Sequence, residues 1–214
     1  MELSKHILEY IQVLIWPITI FIISILFRRQ IIGLFERITK VELPGGISIE
    51  TELMEGRKLA DLVENNRDEK VKSLIVEKRN ISDSEANKRM LDLGLTPSPS
   101  GLDIRYYENI ALNDTRLAIA GLRIDFELMI KNLAKGFNVS FSNRDSNTII
   151  LKRLLSDSKI TYRQYELLLI VLNVATKAIH GEDISMEQVQ EILNISKVLI
   201  DDYIAWLYWN FPDK

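Results

Sequence analysis

SMEQVQEILNISKVLIDDYIAWL, residues 185–207, decides the fold class. Val189, Ile192, Leu193, Ser196, Leu199, Ile200, Tyr203, Ile204 and Leu207 recur at three- and four-residue steps. That is the period of a helix with one face in a core. Ser185 followed by Gln188 has the spacing of a capping box, which satisfies orphan backbone donors at a helix start. Upstream, Thr161 and Gln164 repeat the signal. They open a helix carrying Tyr165, Leu168, Leu169, Leu172, Ala175 and Ile179, with Gly181 as its stop. Asn113 or Asp114 starts an earlier helix with two apolar stripes. One is Leu117, Ala120, Ile124 and Leu128; the other is Phe126, Ile130, Leu133 and Phe137. So wide a face predicts burial on several sides, and Gly136 fits the helix end. Residues 147–155 add a short apolar helix. Short connections favour antiparallel neighbours, so residues 101–214 are expected to form an up-down helical bundle.

Residues 51–100 read as a charged helical connector and linker. Leu53, Leu59, Leu62 and Val63 mark one modest face, and Val71, Leu74 and Ile75 another. Ser82 with Glu85 has capping-box spacing and leads through Met90 and Leu93 to Gly94. Thr96-Pro97-Ser98-Pro99-Ser100-Gly101 is the best internal boundary. Within residues 30–50, Val41-Glu42-Leu43 and Ile47-Ser48-Ile49 flank Pro44-Gly45-Gly46, which predicts a small β-hairpin or a plain linker.

Residues 10–27, YIQVLIWPITIFIISILF, carry no charge. A run of about 18 apolar residues is near the lower limit for crossing a hydrocarbon layer roughly 30 Å thick. Pro17 is tolerated in lipid with a kink. A buried soluble helix and a cleaved signal peptide are the alternatives. The mixed charges of MELSKHILE and the absence of an A-x-A-like site point away from the signal peptide. Residues 1–29 are therefore expected to be a tail and a retained transmembrane helix. Arg28, Arg29, Arg37 and Lys40 follow the span, whereas only Lys5 precedes it. The positive-inside bias puts the N-terminus outside and the C-terminal bulk in the cytoplasm, as in a single-pass inner-membrane protein. Ile31, Leu34, Phe35 and Ile38 lie at helical spacing beside the basic pair. They fit either a helix on the membrane surface or a continuation of the span. The whole chain is expected to be mainly α: one N-terminal transmembrane helix, a small β-hairpin and a cytoplasmic helical bundle.

A formal net charge of −3 gives no global attraction to nucleic acid. The absence of cysteine excludes disulfides, thiolate zinc sites and a Cys nucleophile. Two histidines, His6 and His180, argue against a His-rich metal site. There is no glycine-rich phosphate loop or dinucleotide fingerprint. No cofactor is expected.

Leu172 to Gly181 reads LNVATKAIHG. With its flanking helices this stretch resembles the HEPN superfamily, in which an R-N-x-x-x-H stretch ends the third main helix, often as A-[VI]-H-G. Ala178-Ile179-His180-Gly181 matches that ending. Gly121-Leu122-Arg123 through Glu127 and Leu133-Ala134 resembles the first bundle helix of the family, with its Arg and Glu one turn apart. The likeness covers roughly residues 110–210. It implies a binding or dimerisation module, or a ribonuclease in which His180 activates a ribose hydroxyl and a cation stabilises the phosphate. The family's Arg is missing, since Asn173, Val174 and Ala175 stand where it would lie, and Thr176 stands where the Asn follows. Lys177 is cationic but one turn from His180, so His180, Lys177 and Asn173 are the candidate catalytic residues. The competing reading of His180 is a helix-end residue that complements the dipole.

Trp206, Tyr208, Trp209 and Phe211 crowd the C-terminus with Tyr203. They suit a partner contact, a membrane interface, or the capping of the bundle end. Three functions follow. The first is a membrane-anchored interaction or sensor module, non-catalytic, with a role in bacterial stress response or antiviral defence. The second is a tethered ribonuclease using His180. The third is a membrane-disrupting effector controlled by its soluble part. The expected partners are the lipid bilayer and a second copy or another protein; the charge does not favour RNA.

Overall fold

A computed structural model describes residues 48–78, 81–209 and 211, all within one compact unit spanning residues 48–214. The expected membrane span, the basic flank Arg28, Arg29, Arg37 and Lys40, and the juxtamembrane helix lie outside the described residues. Among the described residues no helix is long and apolar enough to cross a membrane.

Eight helices are described: α1 (Ile49–Asn65), α2 (Glu69–Lys78), α3 (Asp83–Asp92), α4 (Ile104–Ala111), α5 (Thr115–Gly136), α6 (Asn147–Ser156), α7 (Tyr162–Ile179) and α8 (Met186–Trp209). The described residues contain no strand. The expected second arm of the hairpin is instead a helix start, since Ser48 caps α1 by accepting from the Thr51 N–H and Ile49 is already helical. The backbone explains the misreading. A cap residue is extended, here Ser48 at φ −61° and ψ 153°, so one residue has a strand-like backbone before the helix begins. The first arm and the Pro-Gly-Gly turn lie outside the described residues.

α8 is the axis of the unit. It touches every other helix except α6, which is why residues on nearly all its faces are buried. Its capping box is formed reciprocally by Ser185 and Gln188, and that of α7 by Thr161 and Gln164. α1, α2 and α3 pack on α8 rather than forming a separate connector. Gly56 of α1 permits a close crossing: a Cβ there would lie 2.9 Å from Ile195 Cδ1 and 3.2 Å from Ile170 Cγ2.

Thr96–Gly101 lies inside this unit and is pinned at three points. The Asn132 amide bonds both backbone groups of Thr96, at 3.0 and 2.8 Å. The Asn87 amide does the same to Ser98, at 2.9 and 3.1 Å. Ser100 and Tyr107 both donate to Oδ2 of the buried Asp125. Prolines and small polar residues thus form a packed loop whose backbone groups are satisfied by amide side chains.

Two of the three expected glycine stops, Gly94 and Gly136, differ in cause. After α3, Gly94 is left-handed (φ +70°) and Leu95 N–H bonds Met90 O at 2.8 Å, so it closes the helix as expected. After α5 the left-handed residue is Asn138 (φ +57°), not Gly136. Gly136 is required for packing, because a Cβ there would meet Phe211 Cε1 at 2.5 Å.

Candidate functional site

Asn173, Lys177 and His180 fall at i, i+4 and i+7, one face of α7. Asn173 and His180 are exposed. His180 is the C-cap residue; its N–H bonds Thr176 O at 3.0 Å. Gly181 then turns at φ +113° and Glu182 N–H returns to Lys177 O at 3.1 Å. His180 and Gly181 therefore sit as the helix-end reading predicts.

Lys177 is directed to α1, where its Nζ lies 3.5 Å from Glu52 Oε2, with both side chains largely buried. Burial pushes the Glu52 carboxyl up; Lys177 opposes the shift, and Glu182 and Glu55 add to it. The cation expected beside His180 is thus engaged with a carboxylate, in a neighbourhood rich in acidic groups. Thr176 is held as well: it accepts from Arg123 Nη1 at 3.0 Å and donates to Leu172 O at 2.6 Å. Arg123 Nε also donates to Glu127 Oε1 at 2.9 Å. Nearer the N-terminus of α5, Arg116 pairs with Asp183 at 2.9 Å. These two links run α7 antiparallel along α5.

The four tail aromatics are used mainly inside the unit. Phe211 is 5% exposed, with its ring 4.8 Å from Phe137 and 6.2 Å from Tyr203; it is a core residue rather than a partner contact. Trp206 packs edge-on against Phe137 at 5.8 Å. Tyr208 lies under Lys78 and Arg89 and donates to Glu85 at 3.4 Å. Only Trp209 among them is exposed, with Lys70 Nζ 4.4 Å from its ring centre. Trp206 and Trp209 border a groove of about 640 Å³, also lined by Arg67, Gln164 and Asp202. That triad is closed on itself. Arg67 Nε and Gln164 Nε2 each donate to Asp202 at 2.7 Å, and Arg67 Nη2 donates to Val198 O at 2.7 Å.

Exposed large apolar side chains are spread over the unit, Leu112, Val76, Tyr162 and Leu91 among them, and α5 carries two on one face. Of the two stripes expected to be buried on α5, Phe126, Ile130 and Leu133 are in the core. Leu117 and Ile124 are 59% and 60% exposed, with Ala120 and Leu128 partly so. Arg123 and Glu127 run along the edge of this stripe that faces α7. Sequence reading missed this surface because periodicity marks apolar faces without saying which of them finds a neighbour.

No family model matches the chain, and no curated protein or solved structure matches it.

Proposed function

We propose that this chain is a membrane-anchored interaction or sensor module, non-catalytic, whose helical unit works in the cytoplasm in a stress or defence response. The uncharged run at residues 10–27 and its basic C-terminal flank support the anchor and its direction. The observation that carries the binding role is the outward stripe of α5. Leu117 and Ile124 project into solvent from one face of one helix, with Ala120 and Leu128 partly exposed beside them. Such a surface, edged by polar residues, is the mark of a docking site. The candidate catalytic residues favour binding over cleavage, because Lys177 is paired with Glu52, and Glu182 and Asp183 follow His180. A phosphate backbone calls for cations there.

The test is a photo-crosslinking residue at position 124 of the full chain in its own membranes. The reading expects a protein adduct there and none at the exposed, polar position 88. No adduct at 124, together with RNA cleavage abolished by His180→Ala, would replace it with the ribonuclease.

A further inference from the structure

The outward face of α5 has a property that a general docking site does not need: its charges are self-complementary. Taking 100° per residue, Leu117, Ile124 and Leu128 fall within about 40° of one another, with Ala120 at one side. They form a seam about three turns long. Lys131 and Lys135 continue the same line and are exposed. Arg123 and Glu127 lie one turn apart on the flank facing α7, each about one-third exposed. The opposite flank is closed by α4, where Tyr107 packs on Gly121 and donates to Gly121 O at 3.2 Å.

When two identical helices pack antiparallel through one face, like flanks meet. A twofold axis crossing α5 at the level of Asp125 sets Arg123 of one copy opposite Glu127 of the other, and the reverse. The two internal pairs then close into a ring of four alternating charges. In the same register Ile124 drops between Ile124 and Leu128 of the other copy, and Leu117 meets the aliphatic stems of Lys131 and Lys135. A parallel arrangement brings unlike flanks together and forms no such ring.

We infer that the partner of the α5 face is a second copy of this chain, docked antiparallel with Arg123 and Glu127 exchanged across the twofold axis. The inference rests on the binding role proposed above and names its occupant. The anchor favours it, because tethering to one membrane raises the effective concentration of like chains.

The test uses the full chain in mild detergent, with sedimentation equilibrium as the readout and circular dichroism as the check on folding. Arg123→Glu puts four negative groups at the axis, and Glu127→Arg puts four positive ones. Each variant alone is expected to dimerise about tenfold or more weakly than the parent. Mixed together, the two are expected to form a heterodimer of near-parental affinity, because every cross-axis pair is again opposite in sign. A purely internal role for Arg123 and Glu127 does not produce rescue on mixing. Ile124→Asn, at a solvent-facing position, removes the central apolar contact without touching a charge and is expected to leave a folded monomer. A monomeric parent chain, or singles that fail to associate when mixed, overturns the inference. If the position 124 crosslinker then captures a different protein, the binding role stands and only the second-copy assignment falls.

Discussion

Replacing Arg67 with Ala should destabilise the helical unit strongly at neutral pH and much less in mild acid. Asp202 is 2% exposed, and Arg67 and Gln164 are its two hydrogen-bond donors. The Arg67 side chain is itself only 9% exposed. Removing one partner of a buried ion pair costs about 3–5 kcal/mol. The lower end applies here, since Gln164 stays bound to Oδ2. For a unit of this size, about 3 kcal/mol lowers the melting temperature by roughly 6–12 °C. The pH dependence follows from Asp202. Burial pushes its carboxyl above the ordinary aspartate range, while Arg67 and the Gln164 hydrogen bond pull it part of the way back. A carboxyl raised in the folded state binds its proton more tightly there than in the unfolded chain. Its contribution to stability is whole below the unfolded value and is lost as pH rises through the folded one. Arg67→Ala removes the main opposing charge, so the folded value climbs further. At pH 7 the variant must bury an unpaired carboxylate or pay to protonate it. In mild acid, as pH falls through the raised folded value, the group takes up its proton in the folded chain, and little beyond the Val198 hydrogen bond is missing. Denaturation monitored by far-ultraviolet circular dichroism at both pH values gives the two differences. A loss below about 1 kcal/mol at pH 7, or one that does not shrink in acid, refutes the reasoning.

Other substitutions probe the loop and the helix ends. Tyr107→Phe removes one of the two hydroxyl donors to the buried Asp125 carboxylate and should cost about 2 kcal/mol by thermal melting. Gly136→Ala should destabilise by about 1–3 kcal/mol despite alanine's better helix propensity, because the Phe211 ring must move. Gly181→Ala meets nothing within 4 Å, so its expected cost of about 1 kcal/mol comes only from the backbone at φ +113°. Comparing the two melts separates crowding from strain.

The helices were legible in the sequence where local chemistry sets them. Thr161 with Gln164 and Ser185 with Gln188 announced the starts of α7 and α8, and both boxes form as written. The start of α5 was readable to within one residue, Asn113 or Asp114, and the cap is Asp114. What was not legible depends on distant parts of the chain. Thr96–Gly101 has loop composition, but its burial is decided by Asn87, Asn132 and Asp125, up to 36 residues away. Leu117 and Ile124 have the same spacing as core residues, and only the positions of the neighbouring helices leave them outside. Phe211 looked available for a partner because nothing local reveals that Gly136 makes room for its ring. The region around His180 shows the same limit. Its spacing brings Asn173 and Lys177 to one face, while Glu52 from α1, far away in sequence, takes the lysine.

A chain without cysteine permits a direct test of the proposed tether and its direction. Lys88→Cys places a single thiol at an exposed position on α3. In cells making the full chain, the protein should sediment with membranes, and the thiol should resist a membrane-impermeant maleimide until the cells are opened, then react fully. A protein that stays in the supernatant without detergent, or a thiol that reacts in intact cells, contradicts the account.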